Sequence, residues 1–162
     1  SQQKVNGEIP DGILLTPEAK LNYINQIPHT DHSVWLALIL DAYLNETNDW
    51  SIIHEPVAWQ DAPEKGTVLE HINRALDHMC QNRDSRGLPY IDQGDWCDPM
   101  NMVGYKGKGV SSWLSLATAF AINSWCDLCE QYDIELSENM GEVPKGAKVK
   151  VLPFTLTSEY YE

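Results

Sequence analysis

The sequence predicts a mainly α-helical domain threaded by long loops. Two observations carry that prediction: amphipathic or all-round apolar periodicity in three stretches, and no β-branched alternating run until the last residues. At 162 residues with an apolar fraction of 43%, the chain is large enough to enclose a core of its own.

The first helical stretch starts at Ser33 and reads SVWLALILDAYLNE. It is apolar on nearly every side, the pattern of a helix enclosed by other elements. In the second, Thr67 and Glu70 form a T-x-x-E capping box. Leu69, Ile72, Leu76 and Cys80 then follow helical spacing, while Asn73, Arg74 and Asp77 are expected to face water. The third opens at Ser111 or Ser112 and runs to about Gln131. Its small residues, among them Ser115, Ala117, Ala121 and Ser124, permit close helix packing. The tail alternates loosely at Val149, Val151, Phe154 and Leu156, which allows a short β segment at the C-terminus.

Two connections, Asn48–Lys65 and Asp84–Gly109, exceed the usual loop length. The second carries Trp96, Met100, Met102 and Tyr105, too apolar for a disordered linker, and is read as functional. Trp50 and Trp59 in the first are read as packing aromatics.

A net charge of −13, with only 11 basic residues and no basic stripe, excludes a nucleic-acid grip. No run approaches the apolar length of a membrane span, and the polar start SQQKVNGEIPDG contains no apolar signal region. Because the chain opens on Ser1 and not Met, it is read as a piece of a longer protein. Cys80, Cys97, Cys126 and Cys129 lack the spacing of a disulfide framework and are expected to be buried and reduced, which suits the cytoplasm. His29 and His32 stand beside Asp31, but no third ligand lies at metal-site spacing, so no metal is expected. His71 and His78 are read as structural. The stretch GYKGKG lacks the phosphate-loop pattern and is read as a lid at Gly104–Gly109.

The informative stretch is QGDWCDPMN, where Asp95 and Asp98 bracket Trp96. A loop aspartate among apolar neighbours can be desolvated enough to act as a general acid. A tryptophan face can stack a sugar ring. Carbohydrate cleavage asks for both. The competing reading is that the two acids only cap turns around a buried Trp96.

GLPYIDQGDWCDPMN followed by KGKGVSSWLSLA resembles the signature of the inverting glycoside phosphorylases of glycoside hydrolase family 94. Thr30-Asp31-His32-Ser33-Val34-Trp35-Leu36 and the T-x-x-E-H helix start stand in the family's order, so the similarity runs from about Ser1 to Gln131. Two departures are Cys97, where the family carries Asn, and Val110, where it carries Glu. The resemblance is nearest to the cellobionic acid phosphorylase branch.

The resemblance implies that residues 1–133 are part of an (α/α)6 barrel of six helical hairpins, followed by a tail at 134–162 that does not read as the next barrel helix. It implies Asp98 as general acid, Trp96 lining the glucosyl subsite, Asp95 as a supporting residue and Asp31 at the mouth of an inner helix. The implied reaction cleaves a β-linked glucosyl disaccharide of the cellobionic acid or cellobiose type. Inorganic phosphate attacks the anomeric carbon, so no second carboxylate and no cofactor is needed, and the product is α-glucose 1-phosphate. A homodimer is the family's expectation for the complete protein, and this piece alone is expected to be inactive. Two alternatives remain: the phosphorylase-like part of a cyclic β-1,2-glucan synthase, and a non-catalytic carbohydrate-binding helical module.

Overall fold

The computed structural model describes residues 1–12, 14, 16, 18, 29–97, 103–132 and 134. Three helices dominate: α1 (His32–Thr47), α2 (Val68–Gln81) and α3 (Ser112–Gln131). A 3-10 turn at Trp50–His54 and two short strands, β1 (Pro56–Ala58) and β2 (Lys65–Thr67), lie between α1 and α2. The strands pair antiparallel, with Val57 opposite Gly66. This hairpin is absent from the sequence reading. Its strands are too short to display alternation, so periodicity could not reveal it.

Helix α1 packs against both α2 and α3, which touch each other more lightly. The shared core contains Val34, Leu40 and Leu44 of α1, Ile72, Leu76 and Met79 of α2, and Leu114, Ile122 and Trp125 of α3. Burial of these side chains is the main favourable term holding the helices together.

The starts of α2 and α3 follow from their sequences. The Thr67 hydroxyl accepts the Glu70 amide at 3.1 Å, and the Glu70 carboxylate accepts the Thr67 amide at 2.6 Å, completing the expected capping box. Ser111 caps α3 by accepting the Leu114 amide at 3.1 Å. Helix α1 ends on Asn48, whose φ of 52° is the left-handed stop that Asn tolerates.

Several expectations are corrected. Asn73 and Asp77 do not face water; both are buried. The Asn73 carbonyl oxygen accepts the buried Trp125 indole N–H at 3.0 Å, and the Gln81 amide donates to the Asp77 carboxylate at 2.8 Å. Helix α1 is not enclosed on every side, because Ile39 is 64% exposed and Tyr43 is exposed too. Of the four cysteines, which are all free, Cys129 is buried and Cys80 and Cys126 are half-buried, but Cys97 is exposed. Burial pushes the Cys129 thiol up to about 12, so it is a packing group and not a nucleophile.

The packing reading holds for Trp50 and Trp59, and the structural reading holds for His71. Trp59 stacks on His71 with ring centres 3.6 Å apart, and Trp50 packs against Tyr132 at 3.5 Å. His71 is buried, with Nδ1 paired to the Gln3 side-chain oxygen at 2.5 Å and Nε2 to the Val57 carbonyl at 3.2 Å. Burial holds its pKa below the usual value. The C-terminal β segment expected after Val149 lies outside the described residues.

Candidate active site

The connection between α2 and α3 is tied down by isolated bridges at Arg83–Pro89 and Tyr90–Val110. Between them, Asp92 adopts a left-handed φ of 46°, and the Asn82 side-chain amide donates to its carboxylate. The Gly94 amide closes the turn onto the Ile91 carbonyl at 3.0 Å. This turn presents Asp95 and Trp96. It is fixed to the start of α1, because the Thr30 amide and hydroxyl both donate to the Gly94 carbonyl, each at 3.0 Å. A Cβ at Gly94 would lie 2.8 Å from Nε2 of His29, so any side chain there would displace that imidazole.

Asp95 and Trp96 have opposite environments. Asp95 is 3% exposed, and its Oδ1 accepts the Cys97 amide at 3.0 Å, an Asx turn that shapes the loop. Trp96 is 65% exposed. The bland expectation of two acids around a buried Trp96 therefore fails for the tryptophan, while its capping role holds for Asp95. Asp98, the sequence-derived general acid, lies outside the described residues.

Trp96 is one of three neighbouring indoles. Its ring centre is 5.4 Å from Trp35 of α1 and 6.4 Å from Trp113 of α3. The planes of Trp96 and Trp113 differ by only 21°. Sequence reasoning singled out Trp96 but missed Trp35 and Trp113 as its partners. The available signals were the one-turn spacing from Asp31 to Trp35 and the placement of Trp113 at the opening of α3.

Asp31 stands at the foot of this aromatic surface. It is 2% exposed; its Oδ2 accepts the Trp35 indole N–H at 2.9 Å, and its Oδ1 has no hydrogen-bond partner among the described residues. An unsatisfied buried acceptor costs about 1–3 kcal/mol, and this oxygen has almost no exposed surface. Asp31 sits at the cap position of α1, yet its side chain makes no capping bond. The exposed indole surface of Trp96 is suited to a polyhydroxylated ring with one hydrophobic face.

Behind the turn lies a cavity of about 290 Å³, bordered by His29, Ser33, His78, Asp92 and Tyr105. The Gly104–Gly109 stretch contributes Gly104, Tyr105 and Gly107 to its wall, and the Gly107 amide turns back onto the Gly104 carbonyl at 2.8 Å. His29 and His32 stack with ring centres 5.5 Å apart. Asp11 supplies the third metal-ligand type that sequence spacing did not offer, with Oδ1 3.2 Å from His32 Nε2.

Residues 9–148 match the family described as the glycosyl hydrolase 94 superfamily, catalytic domain. The chain belongs to glycoside hydrolase family 94. It is similar to a cellobionic acid phosphorylase of Neurospora crassa, with 59% identity over 130 residues, covering 80% of this chain and 16% of that protein. A 3-O-β-D-glucopyranosyl-β-D-glucuronide phosphorylase of Paenibacillus borealis is 32% identical over 120 residues, 74% of this chain and 16% of that protein. The cyclic β-(1,2)-glucan synthase NdvB of Rhizobium meliloti is 36% identical over 102 residues, 52% of this chain and 4% of that protein. The chain thus spans about a sixth of the length of the first two relatives. Its mainly helical make-up is consistent with a family 94 catalytic domain, and among the described residues no helix is long and apolar enough to cross a membrane.

Proposed function

We propose that this chain is the part of an inverting β-glycoside phosphorylase that carries the general acid and the floor of the glucosyl subsite. Trp96 is the sugar platform, buttressed by Trp35 and Trp113. Asp31 anchors the Trp35 indole, and Asp95 holds the loop. Asp98 protonates the glycosidic oxygen as it departs. Inorganic phosphate, the co-substrate, attacks the anomeric carbon from the opposite face, so the β-glucoside gives α-glucose 1-phosphate. Charge balance requires only one protein acid, because phosphate is its own nucleophile. No cofactor and no catalytic metal enters this scheme.

The observation that carries this reading is the exposed ring of Trp96, set against Trp35 and Trp113, in a chain of this family. Similarity to a cellobionic acid phosphorylase supports a disaccharide of the cellobionic acid or cellobiose type as substrate. Residues 1–133 then form part of an (α/α)6 barrel, with 134–162 as a tail, in a cytoplasmic homodimer without membrane or nucleic-acid partners. The glucan-synthase reading has the shorter match in its support.

The test uses the full-length protein that carries this chain. Asp98→Asn should lower kcat for phosphorolysis by about 10²–10⁴-fold, the contribution of one general acid, while calorimetry still detects disaccharide binding. Near-native kcat in this variant would overturn the assignment. Wild-type protein that binds the sugar without releasing sugar phosphate would favour a binding module.

A further inference from the structure

We propose that Asp11, His29 and His32 form a binding site for a first-row divalent transition metal, with zinc as the natural probe. This stands independently of the phosphorylase reading. Asp11 Oδ1 is 3.2 Å from His32 Nε2 and 3.9 Å from His29 Nδ1, and the three ligand atoms all lie within 4.8 Å of one another. Donor atoms bound about 2 Å from a single tetrahedral ion stand about 3.3 Å apart. The Asp11–His32 separation already has that value. His29 reaches it by a small side-chain rotation.

Three features separate this trio from a chance surface contact. Both imidazoles address the same carboxylate oxygen, whereas a simple ion pair needs only one. The two rings stack, and a nitrogen of each lies within 4.8 Å of the other and of the Asp11 oxygen. The backbone bearing them is also rigidly placed, since Thr30 is doubly bonded to Gly94 and the His32 amide donates to the His29 carbonyl at 3.3 Å. Gly94 backs the Nε2 edge of His29, while Nδ1 is the atom nearest Asp11.

The donor set selects the ion. Two imidazole nitrogens and one carboxylate oxygen suit zinc, cobalt or nickel, whereas calcium and magnesium require mostly oxygen ligands. Three protein ligands leave a fourth position for water or an incoming group.

The experiment titrates zinc into chelator-treated full-length protein, following heat or a competing chromophoric chelator. The expected result is a site of one equivalent per chain whose Kd rises at least tenfold in Asp11→Asn and in His32→Ala. Cobalt in the same site should give a visible absorption band that both substitutions abolish. Asp11→Asn preserves side-chain shape at a partly exposed position, so it remains informative where a histidine variant misfolds. Equal zinc stoichiometry and affinity in wild type and in the Asp11→Asn/His32→Ala double variant would overturn the proposal. Binding only at millimolar zinc would do the same.

Discussion

Trp96 leaves most of its ring in water while Asp95, its immediate neighbour, is sealed away. An aromatic side chain so exposed forgoes the burial that ordinarily stabilises a fold, and a ligand covering it would recover about 1.5–3 kcal/mol. Trp96→Ala in the full-length enzyme should therefore lower kcat/KM by roughly ten- to hundredfold, with Trp96→Phe retaining most of it. An unchanged kcat/KM in the alanine variant would remove the platform role. In the sequence, Asp95 and Asp98 looked alike, two acids on either side of one tryptophan. Asp95 turns toward the Cys97 amide, a local conformation fixed by the long-range clasp of Gly94 on Thr30. Nothing in the residue types foretold that clasp. Asp11 was equally illegible, because its histidine partners are distant in the chain.

Helix α2 was the most legible element, since its cap and its apolar stripe are both local properties. Thr67→Ala removes the hydroxyl that accepts the Glu70 amide and should destabilise the protein by about 0.5–2 kcal/mol in denaturant unfolding. No change in the unfolding midpoint would show the box to be dispensable. The polar side of α2 was misread for a physical reason. Asn73 is buried by Trp125, which lies 52 residues further on, so its hydrogen bond depends on the tertiary fold. His71, on the same helix, supplies a pH test. Burial favours its neutral form in the fold, so its folded pKa lies below the usual 6.5. The unfolded chain then takes up a proton first as the solution is acidified. His71 thus contributes stability that is complete above pH 6.5 and declines as pH falls through that value toward the folded pKa. Thermal melts should show Tm falling on acidification across this window, and His71→Gln should flatten that fall. An equally steep fall in the variant would exclude His71 as its source.

Across the whole molecule, Ile39 and Tyr43 of α1 and Leu116 and Phe120 of α3 present apolar surface outward. Such faces require cover. The chain spans only 16% of the cellobionic acid phosphorylase it matches. Produced alone, this piece should bind an apolar-surface dye and release no sugar phosphate from cellobionic acid; phosphorolysis by the isolated chain would contradict the proposed division of the site. The all-round apolar character of α1 was legible in its sequence, but which of its sides this chain itself would cover was not, because that depends on partners outside any local window.

The start of α1 has a consequence for how this position can change. Aspartate is among the best residues for closing a helix start, and capping is worth about 1 kcal/mol, yet Asp31 turns its carboxylate to the Trp35 indole and leaves the other oxygen bare. Its backbone is already helical there, with φ −69° and ψ −18°, so a serine would gain no cap and would lose the carboxylate that holds the Trp35 indole. Residue 31 therefore answers to the indole it anchors and not to the helix it opens, and a change at this position is felt first in the seating of Trp35.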